Sequence, residues 1–148
     1  MARSIEVKNE RLGEVDLAKP LAPYGMLVHL DISMNKISAI KGGFEVCSNL
    51  RTLIISDNLL REITPFMFAK CKQLRSLNLD INQISKLNNM HNLNNLQELS
   101  IQNNKISVIE GLTSMTKLRR LNLSFNRINK LEGLSSCQML EFLELGKN

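Results

Sequence analysis

The chain has 148 residues, of which 43% are hydrophobic and 22% are charged, a balance that argues against disorder and is typical of a globular protein. Its length predicts a single domain, residues 1–148, with a sizeable core. The net charge of +5 is too small to indicate nucleic-acid binding without a concentrated basic patch. The sequence has neither an apolar run long enough to span a membrane nor a secretion signal, which predicts a cytoplasmic protein.

The first 26 residues are predicted to form an N-terminal cap. Candidate strands lie at residues 5–7 and 14–17, and the second has the apolar alternation of the strands expected later in the chain. Leu21 follows Leu17 after four residues, whereas twelve residues separate the equivalent pair in a later unit. We therefore expect the descending half of a unit to be missing here, with residues 1–26 covering the end of a stack.

One pattern, L-x-x-L-x-L-x-x-N-x-I-x-x-I with Leu and Ile interchanging, recurs from Leu27 to the last residue. Its asparagines are 23, 24, 22, 22 and 22 residues apart, at Asn35, Asn58, Asn82, Asn104, Asn126 and Asn148. We count five complete repeats in residues 27–148 and a truncated sixth that begins at Leu140. Such a fixed period predicts a stack of similar coils.

Each part of the pattern has a physical reason. The L-x-x-L-x-L segment alternates like a short strand with its apolar face inward, and parallel stacking of successive strands buries that face. The asparagine follows where the chain turns and backbone groups lose their ladder partners. Because its amide supplies both a donor and an acceptor, the six asparagines are predicted to form a structural ladder, whereas Asp offers acceptors only.

Two more apolar columns precede each strand. Six residues before the opening Leu stand Leu21, Phe44, Phe68, Met90, Leu112 and Leu134, and three before it stand Tyr24, Cys47, Cys71, Leu93, Met115 and Cys137. The three cysteines share one column with Leu and Met, which predicts small buried hydrophobes and no metal site. No cofactor is expected.

The sequence is not expected to encode an enzyme. It has only two histidines, His29 and His91, and none of the phosphate-binding, zinc or nucleophile motifs. His29 and Asp31 lie two residues apart and point outward from one predicted strand, which favours a solvated surface pair over a general base and its orienting carboxylate.

The outward strand positions are the candidate partner-binding residues. Charge complementarity is expected from Asp31, Asp80, Arg120 and Glu144. The full predicted set, on the concave face, comprises His29, Asp31, Thr52, Ile54, Asn78, Asp80, Glu98, Ser100, Gln102, Arg120, Asn122, Phe142 and Glu144.

Some outward positions are apolar. Ile54 and Phe142 are predicted to be the apolar anchors of an interface, because a strand residue cannot turn inward without a register slip. Met34, Ile81 and Phe125 precede ladder asparagines, and two interpretations stay open for them: packing under the turn, or contributing to the interface.

Basic residues also share a column. Arg51, Arg75 and Arg119 each stand one position before a predicted strand, with Lys72 and Lys117 nearby. A solvated ridge, an acidic protein partner and a nucleic acid are the three interpretations, and nucleic acid is the least favoured because aromatic residues make up only 4% of the chain.

The repeats in residues 27–148 resemble leucine-rich repeats. The later units, IEGLTSMTKLRRLNLSFNRINKLEGLSSCQMLEFLELGKN, resemble the 22-residue class typified by the regulatory subunit of protein phosphatase type 1. The resemblance implies an α/β fold: a right-handed solenoid (horseshoe) with a concave parallel sheet and short helical or 3-10 turns on the convex side.

The resemblance also implies a non-catalytic scaffold that binds a protein partner on its concave face. Narrower roles in the same class are a phosphatase type 1 regulator, an RNA-associated factor like the spliceosomal member, and a cytoskeletal or ciliary component. Nuclear and ciliary locations are therefore alternatives to the predicted cytoplasmic location. The phosphatase regulator binds with aromatic and acidic concave residues, which only Phe142, Asp31, Asp80, Glu98 and Glu144 match here.

The pattern predicts no C-terminal cap, because the chain stops on the sixth asparagine directly after a strand. A longer solenoid, a covering partner and a tolerated open end are the three explanations. From the apolar coil face expected there we predict end-on self-association through residues 140–148.

Overall fold

The computed structural model describes residues 2–148 and shows a solenoid in which each repeat contributes one short strand to a parallel sheet. The strands are β1 Ser4–Glu6, β2 Glu14–Asp16, β3 His29–Asp31, β4 Ala39–Gly42, β5 Thr52–Ile54, β6 Ser76–Asn78, β7 Glu98–Ser100, β8 Arg120–Asn122 and β9 Phe142–Glu144. One α-helix, α1, spans Ala18–Leu21, and two 3-10 helices span Ala22–Tyr24 and Phe44–Val46.

Seven strands form the main sheet in the order β1-β3-β5-β6-β7-β8-β9, and every adjacent pair is parallel. The central residues pair without a register shift, so Leu30, Leu53, Leu77, Leu99, Leu121 and Leu143 form one column. The predicted leucine-rich-repeat solenoid with a parallel sheet is therefore confirmed. Residues at the same position of successive repeats are direct neighbours in space.

The N-terminal segment differs from the expectation. β1 pairs with β3 and places Ile5 beside Leu30, so the strand predicted at 5–7 is the one that extends the main sheet. The strand predicted at 14–17 pairs instead with β4 and places Val15 beside Ile40. This second pair lies on the descending side of the coil. The descending half expected to be missing is therefore present, and the apolar spacing of residues 12–17 only imitated that of a main-sheet strand.

The core is one continuous apolar cluster that runs through the stack from Val15 to Cys137. The opening leucines of the first five repeats are fully buried, and the rings of Phe44 and Phe68 stack with centroids 6.3 Å apart. The three cysteine side chains are buried as predicted, and burial raises the pKa of the Cys71 thiol to about 12. They behave as small hydrophobes and not as reactive thiols.

The convex side contains fewer helices than expected. Within the described residues, 2–148, helices are confined to residues 18–24 and 44–46. In each later unit two isolated hydrogen bonds from an N–H to the carbonyl three residues earlier close successive turns, as from Leu93 to Met90 and from Leu96 to Leu93. Unit length does not account for this difference, because the longest unit, the 24 residues from Asn58 to Asn82, has turns but no helix.

Candidate binding surface

The asparagine column holds the coils in register. Asn104 donates from Nδ2 to the Leu79 carbonyl of the preceding coil at 3.0 Å and to the Ile101 carbonyl of its own coil at 3.3 Å. Its Oδ1 accepts the backbone N–H of Ile84 in the preceding coil at 2.9 Å. Equivalent sets of bonds are made by Asn35, Asn58, Asn82, Asn126 and Asn148. These bonds therefore keep the ends of adjacent strands in register.

We call the outward side of β3 and β5–β9, with the residues that directly follow these strands, the strand face. Twelve of the thirteen predicted residues are exposed or half-buried there, and Asp31 alone is buried. Seven of the twelve line one shallow cavity of about 290 Å³: Asn78, Glu98, Ser100, Arg120, Asn122, Phe142 and Glu144. His29, Thr52 and Ile54 lie outside it, toward the N-terminal end of the sheet.

Asp31 is a correction to the predicted set. The residue is only 5% exposed, and its carboxylate pairs with the Lys8 ammonium at 2.7 Å and accepts a hydrogen bond from the Ser33 backbone N–H at 3.0 Å. Burial raises the pKa of the Asp31 carboxyl, but the bonds from Lys8 and Ser33 outweigh it and hold that pKa below its usual value. His29 and Asp31 are therefore not a solvated pair, because the N-terminal segment carries Lys8 onto the carboxylate.

A polar network preorganises the centre of the strand face. One Asp80 carboxylate oxygen accepts the Ser100 hydroxyl at 2.6 Å and the Gln102 backbone N–H at 2.7 Å. The Gln102 side-chain oxygen accepts the Asn122 amide at 3.2 Å, and Asn78 accepts the Asp80 backbone N–H at 2.8 Å. These side chains come from three consecutive coils, those of β6, β7 and β8, and the network reduces the rotamer freedom that a partner would have to immobilise.

An aromatic anchor lies at one end of the cavity. Phe142 is 52% exposed, and the Arg120 guanidinium lies 4.7 Å from its ring centroid, a cation–π distance. Arg120 also approaches Glu98 at 3.9 Å. Ile54 is separated from the strand that carries Phe142 by three intervening strands, roughly 19 Å at about 4.8 Å per strand. The two predicted apolar anchors are therefore not one patch, although one extended partner could contact both.

The predicted partner-binding set leaves out Ser76, which also lines the cavity and donates its hydroxyl to Glu98 at 3.4 Å. Ser76 shares a column with Thr52 and Glu98, so the repeat register already contained the signal that identifies it.

The turn after each strand adopts a left-handed backbone. The residue before each ladder asparagine has φ between 52° and 62°, in the column Met34, Asp57, Ile81, Asn103, Phe125 and Lys147. Met34, Ile81 and Phe125 are 48–49% exposed, so these side chains are not tucked under the turn. A β-branched residue in this region is strained, and Ile81 therefore carries a conformational cost without the compensation of full burial.

We expect Ile81→Asn to raise the free energy of unfolding by up to about 1 kcal/mol, because Asn tolerates the left-handed region. Relief of the backbone strain, about 1–2 kcal/mol, exceeds the packing energy lost with the half-buried Ile81 side chain. Asn103 already occupies the equivalent position with φ 55°. Urea unfolding followed by circular dichroism measures the change. The reverse change, Asn103→Ile, should destabilise by a similar amount, and a destabilising Ile81→Asn would contradict the strain argument.

Residues 2–148 contain no group of three or more His, Cys, Asp and Glu side chains placed to hold a metal ion. Nor does any helix in this described part of the chain have the length and apolar character to cross a membrane.

Family models match most of the repeat region. A model described as "Leucine rich repeat" matches residues 25–84 and 48–106, and one described as "Leucine Rich repeats (2 copies)" matches residues 94–136. The chain is 43% identical over 47 residues to "Transforming growth factor beta activator LRRC32" of Mus musculus, a match that covers 32% of this chain and 7% of that protein.

Two solved structures from Listeria monocytogenes share the architecture. An internalin (inlF) of strain 4b F2365 superposes with a TM-score of 0.68 at 24% identity, over 90% of this chain and 45% of that one. The functional domain of InlJ, which includes a cysteine ladder, superposes with a TM-score of 0.74 at 28% identity, over 94% and 28%. This chain thus spans less than half the length of each of these relatives.

Proposed function

Because this chain belongs to the leucine-rich-repeat family, whose members are typically protein-interaction scaffolds, we propose that it is a non-catalytic scaffold that binds a protein partner through its strand face, the concave side of the solenoid. The observation that carries the proposal is the cavity lined by residues of β6, β7, β8 and β9, with side chains already held in place. A preorganised polar field beside an exposed aromatic ring is what a protein interface needs at its centre.

The retained strain supports the same proposal. Met34, Ile81 and Phe125 keep apolar side chains half exposed at left-handed positions where the polar residues Asp57, Asn103 and Lys147 stand in the other coils. Strain and exposed apolar surface both lower the stability of the fold, so folding does not explain why apolar residues occupy these positions. A contribution to partner binding explains it.

The test compares partners captured from a cell lysate by the wild-type chain and by an Ile54→Asp, Phe142→Asp double variant. Burying a charge at an anchor that contributes about 2 kcal/mol should weaken binding about 30-fold or more, so partners bound by the wild type should be lost. Phe66→Asp is the matched control, because Phe66 is 84% exposed and lies outside the strand face.

Thermal unfolding of all three proteins establishes that the fold is intact. Retention of every partner by the folded double variant would reject the strand face as the binding surface. Equal loss with Phe66→Asp would show that the effect is not specific to this face.

The narrower roles stay predictions. A regulatory subunit of protein phosphatase type 1, an RNA-associated factor and a cytoskeletal or ciliary component would all use the same face, and none of its features favours one of them. The cytoplasmic location and end-on self-association through residues 140–148 also stay predictions.

A further inference from the structure

The entrance edge of the main sheet carries a column of basic side chains. Backbone N–H groups at this position donate to the carbonyl of the column neighbour, at 2.8 Å in each case, so the order is established by hydrogen bonds. The column reads Arg3, Val28, Arg51, Arg75, Gln97, Arg119 and Glu141. Arg3 enters it only because β1 pairs with β3, and the repeat pattern does not reveal that neighbour.

The two halves of this column differ in their ion pairs. Arg119 donates to the Glu141 carboxylate at 2.8 Å, so its charge is already matched. Arg3, Arg51 and Arg75 are exposed and form no ion pair or side-chain hydrogen bond with any residue from 2 to 148. Arg51 and Arg75 lie on adjacent strands about 4.8 Å apart, where like charges repel. We call Arg3, Arg51 and Arg75 the basic edge.

A small cavity of about 200 Å³ adjoins the basic edge. Its lining combines Arg3 and Arg51 with the neutral residues Met26, Val28, Asn49 and Gln73, and it contains no acidic side chain. The Asn49 amide is oriented by a bond to the Gly25 carbonyl at 3.0 Å. None of these residues lines the cavity of the strand face, so this is a separate site.

We propose that the basic edge binds an acidic, extended segment of a protein partner. Arg3 to Arg75 covers three strand spacings, roughly 14 Å, which is the length of four or five extended residues. Guanidinium groups pair with carboxylates bidentately, and acidic side chains along the segment would neutralise the three unpaired charges.

The lining favours a polypeptide over a single-stranded nucleic acid. No aromatic ring lines the cavity, so unstacked bases would find no stacking surface. Met26 is 48% exposed and with Val28 offers apolar contact to the aliphatic parts of a peptide. The inference goes beyond the proposed function, because it concerns a second surface and specifies the chemistry of what binds there.

The test uses a fluorescein-labelled peptide of alternating glutamate and alanine, and follows its fluorescence anisotropy on titration with protein at low and at physiological salt. We expect saturable binding by the wild type that weakens as salt rises. The Arg51→Gln, Arg75→Gln double variant should bind at least about tenfold more weakly, a change of about 1.4 kcal/mol.

Arg119→Gln is the matched control, since it removes the same charge from the same column where Glu141 already pairs with it; we expect less than about a twofold change. An Ile54→Asn, Phe142→Asn variant, which alters the strand face without adding charge, should bind the peptide like the wild type, and this separates the inference from the proposed function. Arg75→Gln alone provides a milder variant should the double variant unfold.

Three outcomes would overturn the inference. One is the absence of saturable peptide binding by the folded wild type. A second is equal weakening by Arg119→Gln, which would indicate general attraction to a basic protein. The third is tighter binding of a single-stranded oligonucleotide of equal charge, lost in the Arg51 and Arg75 double variant, which would assign the edge to nucleic acid.

Discussion

Asn104→Asp should lower the free energy of unfolding by about 3 kcal/mol or more. The change replaces the amide nitrogen by an oxygen and so places an acceptor where three carbonyls need a donor. The Asn104 amide donates to the carbonyls of Leu79, Ile101 and Gln102 at 3.0, 3.3 and 3.2 Å. A carboxylate there would face three oxygens at a site that is only 8% exposed, where burying a charge is costly. Urea unfolding at neutral pH, followed by circular dichroism, measures the loss.

The neighbouring residue provides the control. Asn103→Asp makes the same chemical change at an exposed turn position, where Asp57 already stands in an earlier coil with nearly the same φ. We expect its free energy of unfolding to stay within about 0.5 kcal/mol of the wild type. If both variants lose the same stability, general charge repulsion and not the ladder explains the effect.

Gly111→Ala should also lower the free energy of unfolding by about 3 kcal/mol or more. Gly111 has φ +71°, where a Cβ atom costs about 1–2 kcal/mol. An added Cβ would also lie 1.7 Å from the Leu87 carbonyl oxygen of the preceding coil, so the backbone of one coil must move. Because backbone atoms of stacked coils cannot yield like a flexible side chain, the displacement should extend to the hydrogen bonds around it.

Gly13→Ala separates the two contributions to that loss. Gly13 has φ +65°, yet no atom lies within 4 Å of the position of an added Cβ. Its replacement should therefore cost only the conformational part, about 1–2 kcal/mol. The difference between the two variants, measured by urea unfolding, gives the cost of the close coil contact, and equal losses would contradict a contact at Gly111.

The structure of the repeat region was largely predictable, because the residues that determine it lie within each coil. Each coil contains its own strand, ladder asparagine and core leucines, so the asparagine spacing alone predicts that Thr52, Ser76, Glu98 and Arg120 share a column. The form of the convex turns was less predictable, because a short 3-10 helix and isolated turns use the same bond from an N–H to the carbonyl three residues earlier.

The N-terminal segment was not predictable in the same way. Leu12, Val15 and Leu17 reproduce the spacing of a main-sheet strand, but the chain uses Ile5 in that sheet and Val15 beside Ile40. Apolar spacing shows that a segment has a buried face, and does not show which neighbour covers it. Because this segment lacks a ladder asparagine, no residue in it marks its register against the next coil.

The repeat in the chain is enough to show which leucines, asparagines and cysteines lie above one another, because the pattern returns at nearly the same interval in every coil. Only in the folded chain does the N-terminal segment, which lacks this repeat, complete the columns. It brings Lys8 onto Asp31 and places Arg3 in the column of Arg51. The pairing of β1 with β3 has no periodic signal in the chain. The charged residues that it brings together can therefore be identified only from the folded structure.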